Sequence, residues 1–380
     1  MPAKTYLLRN DGSTGKPKFT DISTQLPQQG QMGMVTSALW TDYDNDGWID
    51  IMLAGEFMPI TFIKNDKGKL NNTQVITLEN TKGWWNSIVA GDFDNDGDID
   101  YIAGNQGLNN WLKTSPSNPV SVYAKDYDKN GRIDPIFCHF LNGTEYIVHA
   151  RDDINMQMTA MKARFKDYTT YAEAPFKDAF LEDEIKDAYV LKCETFNSVY
   201  IENKGNGKFD VKPLPTDAQL SPIYGMYCSD INADGNLDVV CVGNSFAPEV
   251  QTGRCDAQGM LILEGNGKGG FTINRNEYNS ASDNKAISCL QTADGYPLYL
   301  VSSNSGKLKA YKAKQTSRHI ALEDTDAYAV ISYKNGKSSK CEFQFGNSYL
   351  SQSSRKLFIS PQVKAITIYT VNGTKRELLF

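Results

Sequence analysis

Four nine-residue segments of this chain carry the same ladder of oxygen donors: Asp42-Tyr-Asp-Asn-Asp-Gly-Trp-Ile-Asp50, Asp92-Phe-Asp-Asn-Asp-Gly-Asp-Ile-Asp100, Asp126-Tyr-Asp-Lys-Asn-Gly-Arg-Ile-Asp134 and Asp230-Ile-Asn-Ala-Asp-Gly-Asn-Leu-Asp238. The first position is Asp42, Asp92, Asp126 or Asp230, and the third is Asp44, Asp94, Asp128 or Asn232. The fifth is Asp46, Asp96, Asn130 or Asp234, and the ninth is Asp50, Asp100, Asp134 or Asp238. These segments hold 15 of the 45 acidic residues, a concentration of like charge that repels itself unless a cation neutralises it. Alternate side chains converge only if the backbone curls round a centre, and the glycine at the sixth position (Gly47, Gly97, Gly131, Gly235) permits the turn. The seventh position varies (Trp48, Asp98, Arg132, Asn236), as suits a ligand supplied by its backbone carbonyl. Hard oxygen donors without histidine or cysteine select calcium, Ca2+, over zinc or copper, with up to four ions per chain.

An EF-hand needs a bidentate glutamate at position twelve, where this chain has Leu53, Ala103, Phe137 and Cys241. The flanks also differ from amphipathic helices. Ser87-Ile-Val-Ala-Gly precedes one loop, and Ile51-Met-Leu-Ala-Gly and Val239-Val-Cys-Val-Gly follow two others: short, apolar, glycine-bounded runs that read as strands. A weaker repeat lies between the loops, at Phe62-Ile-Lys-Asn-Asp-Lys-Gly-Lys-Leu70, Tyr200-Ile-Glu-Asn-Lys-Gly-Asn-Gly-Lys-Phe209 and Leu261-Ile-Leu-Glu-Gly-Asn-Gly-Lys-Gly-Gly-Phe271, each with the signature of a hairpin. Two strands round an acidic loop, then a hairpin, make one propeller blade. The fold class expected is all-β, a calcium-stabilised β-propeller of about six blades, with five or seven also compatible. The propeller is placed at 1–317 and a small β domain at 318–380. Residues 152–187 break the repeat, and Met156-Gln-Met-Thr-Ala-Met-Lys-Ala-Arg-Phe165 has helical spacing, so a mostly helical insertion is expected there. A partial unit falls at 188–215, and Asp294-Gly295 marks a turn without ligands. The N-terminal segment 4–21 is expected to complete the last blade at 285–312 and so close the ring.

Composition narrows the function classes. The chain has 380 residues and a formal charge of −6, so no basic face awaits a nucleic-acid backbone. No apolar run reaches the ~20 residues of a membrane helix. The N-terminus lacks the apolar stretch of a secretory signal, and the chain is expected to be a mature form or a fragment of something longer. Seven cysteines without metal spacing read as buried thiols, while Cys228 and Cys241 are spaced to bridge a hairpin. The three histidines lie outside any nucleophile–base motif, so the chain is not expected to be an enzyme. Trp84, Trp85 and Trp111 are candidates for stacking on a sugar, against the plainer role of packing between sheets.

The acidic loops resemble the FG-GAP/VCBS repeats of integrin-α-like propellers, a likeness spanning roughly residues 5–312. The tail, Asn347-Ser-Tyr-Leu-Ser-Gln-Ser-Ser-Arg-Lys-Leu-Phe358 and Val363-Lys-Ala-Ile-Thr-Ile-Tyr-Thr-Val-Asn-Gly-Thr-Lys375, is similar to the ASPIC/UnbV domain that accompanies such propellers. Ile359-Ser-Pro-Gln and Tyr369-Thr-Val-Asn-Gly stand where that family has Gly-Leu-Gly and Trp-Pro-x-Gly. The resemblance implies a secreted, periplasmic or cell-surface location and a non-enzymatic binding or adhesion role toward an extracellular protein or glycan. The alternative is a carbohydrate-active enzyme, a polysaccharide lyase or hydrolase built on the propeller.

Overall fold

The computed structural model describes residues 2–13, 15–248, 252–274, 282–314, 316–346 and 349–380. Asn347 and Ser348, which open the tail motif, lie outside the described residues. A short hairpin, β1 (Leu8–Asn10) and β2 (Phe19–Asp21), leads into the first sheet. That sheet runs β3 (Met34–Thr41), β4 (Asp50–Met58), β5 (Thr61–Asp66) and β6 (Lys69–Thr77), and the two-residue β7 (Gly83–Trp84) pairs with the end of β4. The first acidic loop joins β3 to β4, and the hairpin repeat forms β5 and β6.

The second sheet is interrupted. β8 (Ser87–Gly91) and β9 (Asp100–Gly104) flank the second acidic loop, but the chain then leaves for nearly a hundred residues. It builds β10 (Val120–Lys125), β11 (Asp134–Leu141) and β12 (Thr144–Ile147). Five short helices follow: α1 (Arg151–Gln157), α2 (Met161–Arg164), α3 (Tyr168–Glu173), α4 (Phe176–Ala179) and α5 (Glu182–Ile185). β13 (Tyr189–Cys193) completes a separate sheet in the order β12-β11-β10-β13. Only then do β14 (Val199–Asn203) and β15 (Phe209–Pro213) return, with β14 pairing β9. Residues 188–215 are therefore no partial unit of their own. They divide between the inserted sheet and the missing half of the second one. The helices hold together through Ile154, Met158, Met161 and Phe165, spaced at successive helical turns, which pack on Ile136 and Cys138 of β11.

The third sheet is regular: β16 (Ile223–Ser229), β17 (Asp238–Gly243), β18 (Met260–Gly265) and β19 (Phe271–Asn274). A three-stranded sheet follows, β20 (Asn284–Gln291), β21 (Pro297–Ser303) and β22 (Lys309–Lys312). The C-terminal part pairs β23 (Arg318–Ala321) with β26 (Lys356–Ile359). It packs this ribbon through Ile320, Leu357 and Ile359 on a sheet of β24 (Asp326–Tyr333), β25 (Ser338–Glu342), β27 (Val363–Thr370) and β28 (Lys375–Leu379).

Alternation along the central strands explains the stacking. Tyr101 and Ala103 of β9 meet Met52, Ala54 and Phe62 of the first sheet, whereas Ile102 between them meets Ile223, Val239 and Leu261 of the third. Val240 and Val242 in turn face Ile287, Tyr299 and Val301 of the fourth sheet. Strands buried on both faces read as continuous apolar runs, and β9, β14 and β17 are buried throughout. The molecule is thus mostly β, and among the described residues it has several sheets, none of them closed on itself. The expected closure of the chain's ends does not form. Leu7 and Leu26 cover Ile51, Leu53 and Ile63, so the N-terminal segment seals the outer face of the first sheet, not that of 285–312. An apolar sheet face at the start of a series has to be covered by something, and the nearest chain does it.

Candidate metal centres

Each acidic loop is laced by hydrogen bonds from its own backbone. The first-position carboxylate accepts two N–H groups, from the fifth residue and the glycine. Asp92 takes Asp96 and Gly97 at 3.1 Å each, and Asp42, Asp126 and Asp230 do the same at 2.8–3.1 Å. The fifth-position oxygen accepts the seventh N–H at 2.8–2.9 Å in all four loops. The fourth residue, two before the glycine, is left-handed throughout: Asn45, Asn95, Lys129 and Ala233 have φ of 58°, 61°, 61° and 62°. The alternating pattern is therefore one backbone conformation, in which the first and third side chains converge with the fifth in 92–100 and with the ninth in 42–50 and 126–134.

The ninth residue, first in the following strand, anchors the loop to the hairpin. Asp100 Oδ1 accepts the Asn203 N–H at 2.8 Å, while its Oδ2 accepts Phe93 N–H and the Tyr200 hydroxyl. Asp238 takes Gly265 and Ile231 in the same way. Burial pushes the carboxyls of Asp50, Asp92, Asp100 and Asp238 up to about 7. Burial, then the neighbouring Asp96, raises Asp94 to about 6. Burial outweighs the hydrogen bonds these carboxylates accept and, at Asp50, the nearby Lys64 ammonium as well.

The donor sets differ in how well they suit a divalent ion. Carboxylate oxygens of Asp92, Asp94 and Asp96, and those of Asp126, Asp128 and Asp134, come within 4.8 Å of one another, so both loops fit a hard cation. The loop at 230–238 offers Asp230, Asp234, Asp238 and the amide oxygen of Asn232, three carboxylates as in 126–134, but its acids are not among those grouped so closely. Asp42, Asp44 and Asp50 also converge, but the Lys64 ammonium sits among them, 2.6 Å from Asp44 Oδ2 and 2.7 Å from Asp46 Oδ2. An ammonium therefore already stands within that loop.

Three of the loops form one continuous end of the stack. Asn45 of the first donates to Asp98 Oδ1 of the second at 2.5 Å, and Asn95 of the second approaches Asn236 Oδ1 of the third at 3.4 Å. The fourth and seventh positions thus join neighbouring loops. The C-terminal strand β25 lies across this end. The Lys340 N–H donates to Asp92 Oδ2 at 2.8 Å, its ammonium reaches Asn45, and Glu342 Oε1 accepts the Asp42 N–H at 2.9 Å. Between this cover and the sheets lies a cavity of about 170 Å³, lined by Tyr227, Asp230, Lys340 and Glu342 among others. The loop at 126–134 belongs to the inserted sheet, where Gln157 Nε2 donates to Asp134 Oδ1 at 3.3 Å. Lys64, Lys340 and Glu342 are the site residues that motif reasoning passed over. Only the hairpin alignment, with Lys64 where Glu202 and Glu264 fall, carried a signal for the first of them.

Other expectations are corrected or placed. All seven cysteines are free: Cys228 sits opposite Val239 and Cys241 opposite Met226, so the two thiols are out of register for a bridge. Trp85 is fully buried with its indole N–H on the Thr81 carbonyl, which removes it from any sugar platform, while the half-buried Trp84 packs on Phe57 and Phe137. Trp111 is 42% exposed beside His139. His149 Nε2 accepts the Phe137 N–H. Among the described residues, no helix is long and apolar enough to cross a membrane.

Comparison with known families matches an FG-GAP-like repeat to residues 42–103, from the first acidic loop to the strand after the second. Among curated proteins there is no match. Among solved structures, the V. cholerae biofilm matrix protein Bap1 aligns over 97% of this chain at 13% identity and a TM-score of 0.22, a likeness too slight to carry an argument. The chain spans 50% of that protein's length.

Proposed function

We propose that the chain is a non-enzymatic binding or adhesion module working in a calcium-rich setting outside the cytosol, secreted, periplasmic or on a cell surface. In this reading its stacked sheets are the open form of an integrin-α-like propeller, and its C-terminal domain is of the ASPIC/UnbV kind. The observation that carries the proposal is the convergence of unneutralised carboxylates in loops 92–100 and 126–134, each laced by its own backbone into a preformed cage. The FG-GAP-like repeat at 42–103 supports the same assignment. Calcium suits these oxygen cages, and millimolar calcium would fill even weak ones. Bound there, an ion would neutralise the carboxylates and tie two strands together, leaving recognition to the surrounding surface. The ligand is an extracellular protein or a glycan. A screen against glycan and protein arrays, run in calcium and in EDTA, tests this: calcium-dependent capture is expected, and turnover of any polysaccharide would overturn the non-enzymatic assignment.

A further inference from the structure

We propose that Lys64 is the resident cation of the first acidic loop, so that 42–50 is a metal-free member of a calcium-binding set. Its side chain is only 11% exposed, and its ammonium touches the third, fifth and ninth ligand positions: Asp44 at 2.6 Å, Asp46 at 2.7 Å and Asp50 at 3.5 Å. An ammonium within contact of three carboxylates fills the space a divalent ion would need and repels its charge.

The register shows that this lysine is particular to one sheet. Lys64 follows Ile63, which pairs with Ile51; Glu202 follows Ile201, which pairs with Tyr101; Glu264 follows Leu263, which pairs with Val239. One structural position, opposite the ninth loop residue, is therefore lysine in the first sheet and glutamate in the second and third. The loop has changed with it. In the other three, the third residue accepts the fifth N–H (Asp94 3.2 Å, Asp128 3.1 Å, Asn232 2.9 Å), whereas Asp44 is turned to Lys64. In the other three, the ninth carboxylate also accepts the second-position N–H, from Phe93, Tyr127 or Ile231. Asp50 Oδ2 is instead buried without a hydrogen-bond partner, the oxygen left over when an ammonium stands in a cage shaped for a metal. The consequence is a first sheet whose loop keeps a cation where calcium is scarce, while its neighbours depend on the ion.

Terbium, a luminescent stand-in for calcium, tests this on the full chain, because Trp48 lies within the first loop and sensitises only an ion bound close to it. Calcium per chain is counted in parallel by equilibrium dialysis. With Lys64 in place, Trp48→Phe is expected to leave calcium-displaceable terbium emission unchanged; loss of that emission would overturn the proposal. Lys64→Glu and Lys64→Gln are expected to gain one calcium ion per chain and a Trp48-dependent emission. Folded variants with no gain would overturn it as well. Should neither variant fold, the Trp48→Phe comparison decides alone, since that side chain is 41% exposed. The count concerns the first loop and is independent of whether the remaining loops bind calcium.

Discussion

Asp42, Asp92, Asp126 and Asp230 have a different duty from the residues two and four places on. A first-position carboxylate accepts two backbone N–H groups, and Asp92 accepts a third from Lys340, so it holds the loop whether or not an ion is present. Asp94 spends one oxygen on the Asp96 N–H and turns toward the centre. Asp92→Ala should therefore cost about 3 kcal/mol even in EDTA, since buried N–H groups left unpaired cost ~1–3 kcal/mol each, and more in calcium, where a ligand is lost as well. Asp94→Asn should leave the EDTA-treated protein as stable as before and remove only the increment that calcium adds. Urea unfolding of both variants, in EDTA and in calcium, separates the two roles. The ligand candidates were legible because donor type and spacing lie within nine residues. Lys64 was not, since its place among them depends on a strand pairing fourteen residues beyond Asp50, and the charge reversal against Glu202 and Glu264 shows only once the hairpins are aligned.

At the scale of strands and sheets, the sequence marks units well and joins them poorly. The strand–loop–strand halves and the hairpin halves were each recognisable, yet β9 pairs with β14 across an entire inserted sheet. The clue lay in two incomplete units, a loop at 92–100 with no hairpin after it and a hairpin at 200–209 with no loop before it. Local pattern cannot say that they belong together, because edge pairing is decided by which apolar faces stack, here Ile102 and Tyr200 against the third sheet. The same stacking buries Asp50, Asp92, Asp100 and Asp238 at strand and loop junctions and raises their carboxyls to about 7, above the ~3.9 of an unfolded aspartate. Such groups favour the folded state while protonated and lose that contribution as pH rises through 7. Metal-free protein should accordingly melt at a lower temperature at about pH 8 than at about pH 5, and saturating calcium should reverse the order by favouring the ionised carboxylates of the loops it fills, Asp50 excepted. Thermal melts across that range in EDTA and in calcium check the sign; a metal-free melting temperature that climbs with pH would refute it.

For the molecule as a whole, the decisive feature is that three acidic loops share one end of the stack and the C-terminal strand β25 closes over them. Lys340 and Glu342 link that strand to Asp92 and Asp42, while Ser353 and Ser354 tie the following segment to Cys289 of the fourth sheet. A ring had been the natural expectation from repeated units and a half-unit at each end. Leu7 and Leu26 decide against it, because they find their apolar partners on the adjacent first sheet. Charge and architecture meet at the same end, so occupancy of the loops at 92–100 and 230–238 bears directly on how firmly the C-terminal domain is seated. Each filled site would add about 2.7 kcal/mol at a hundredfold excess of calcium over its dissociation constant. Calorimetric titration of EDTA-stripped protein with calcium tests the central claim most directly. Saturable binding that weakens in Asp94→Asn and Asp128→Asn, with a matching rise in melting temperature, is the result expected. Heats no larger than dilution, together with a melting temperature indifferent to calcium, would contradict it.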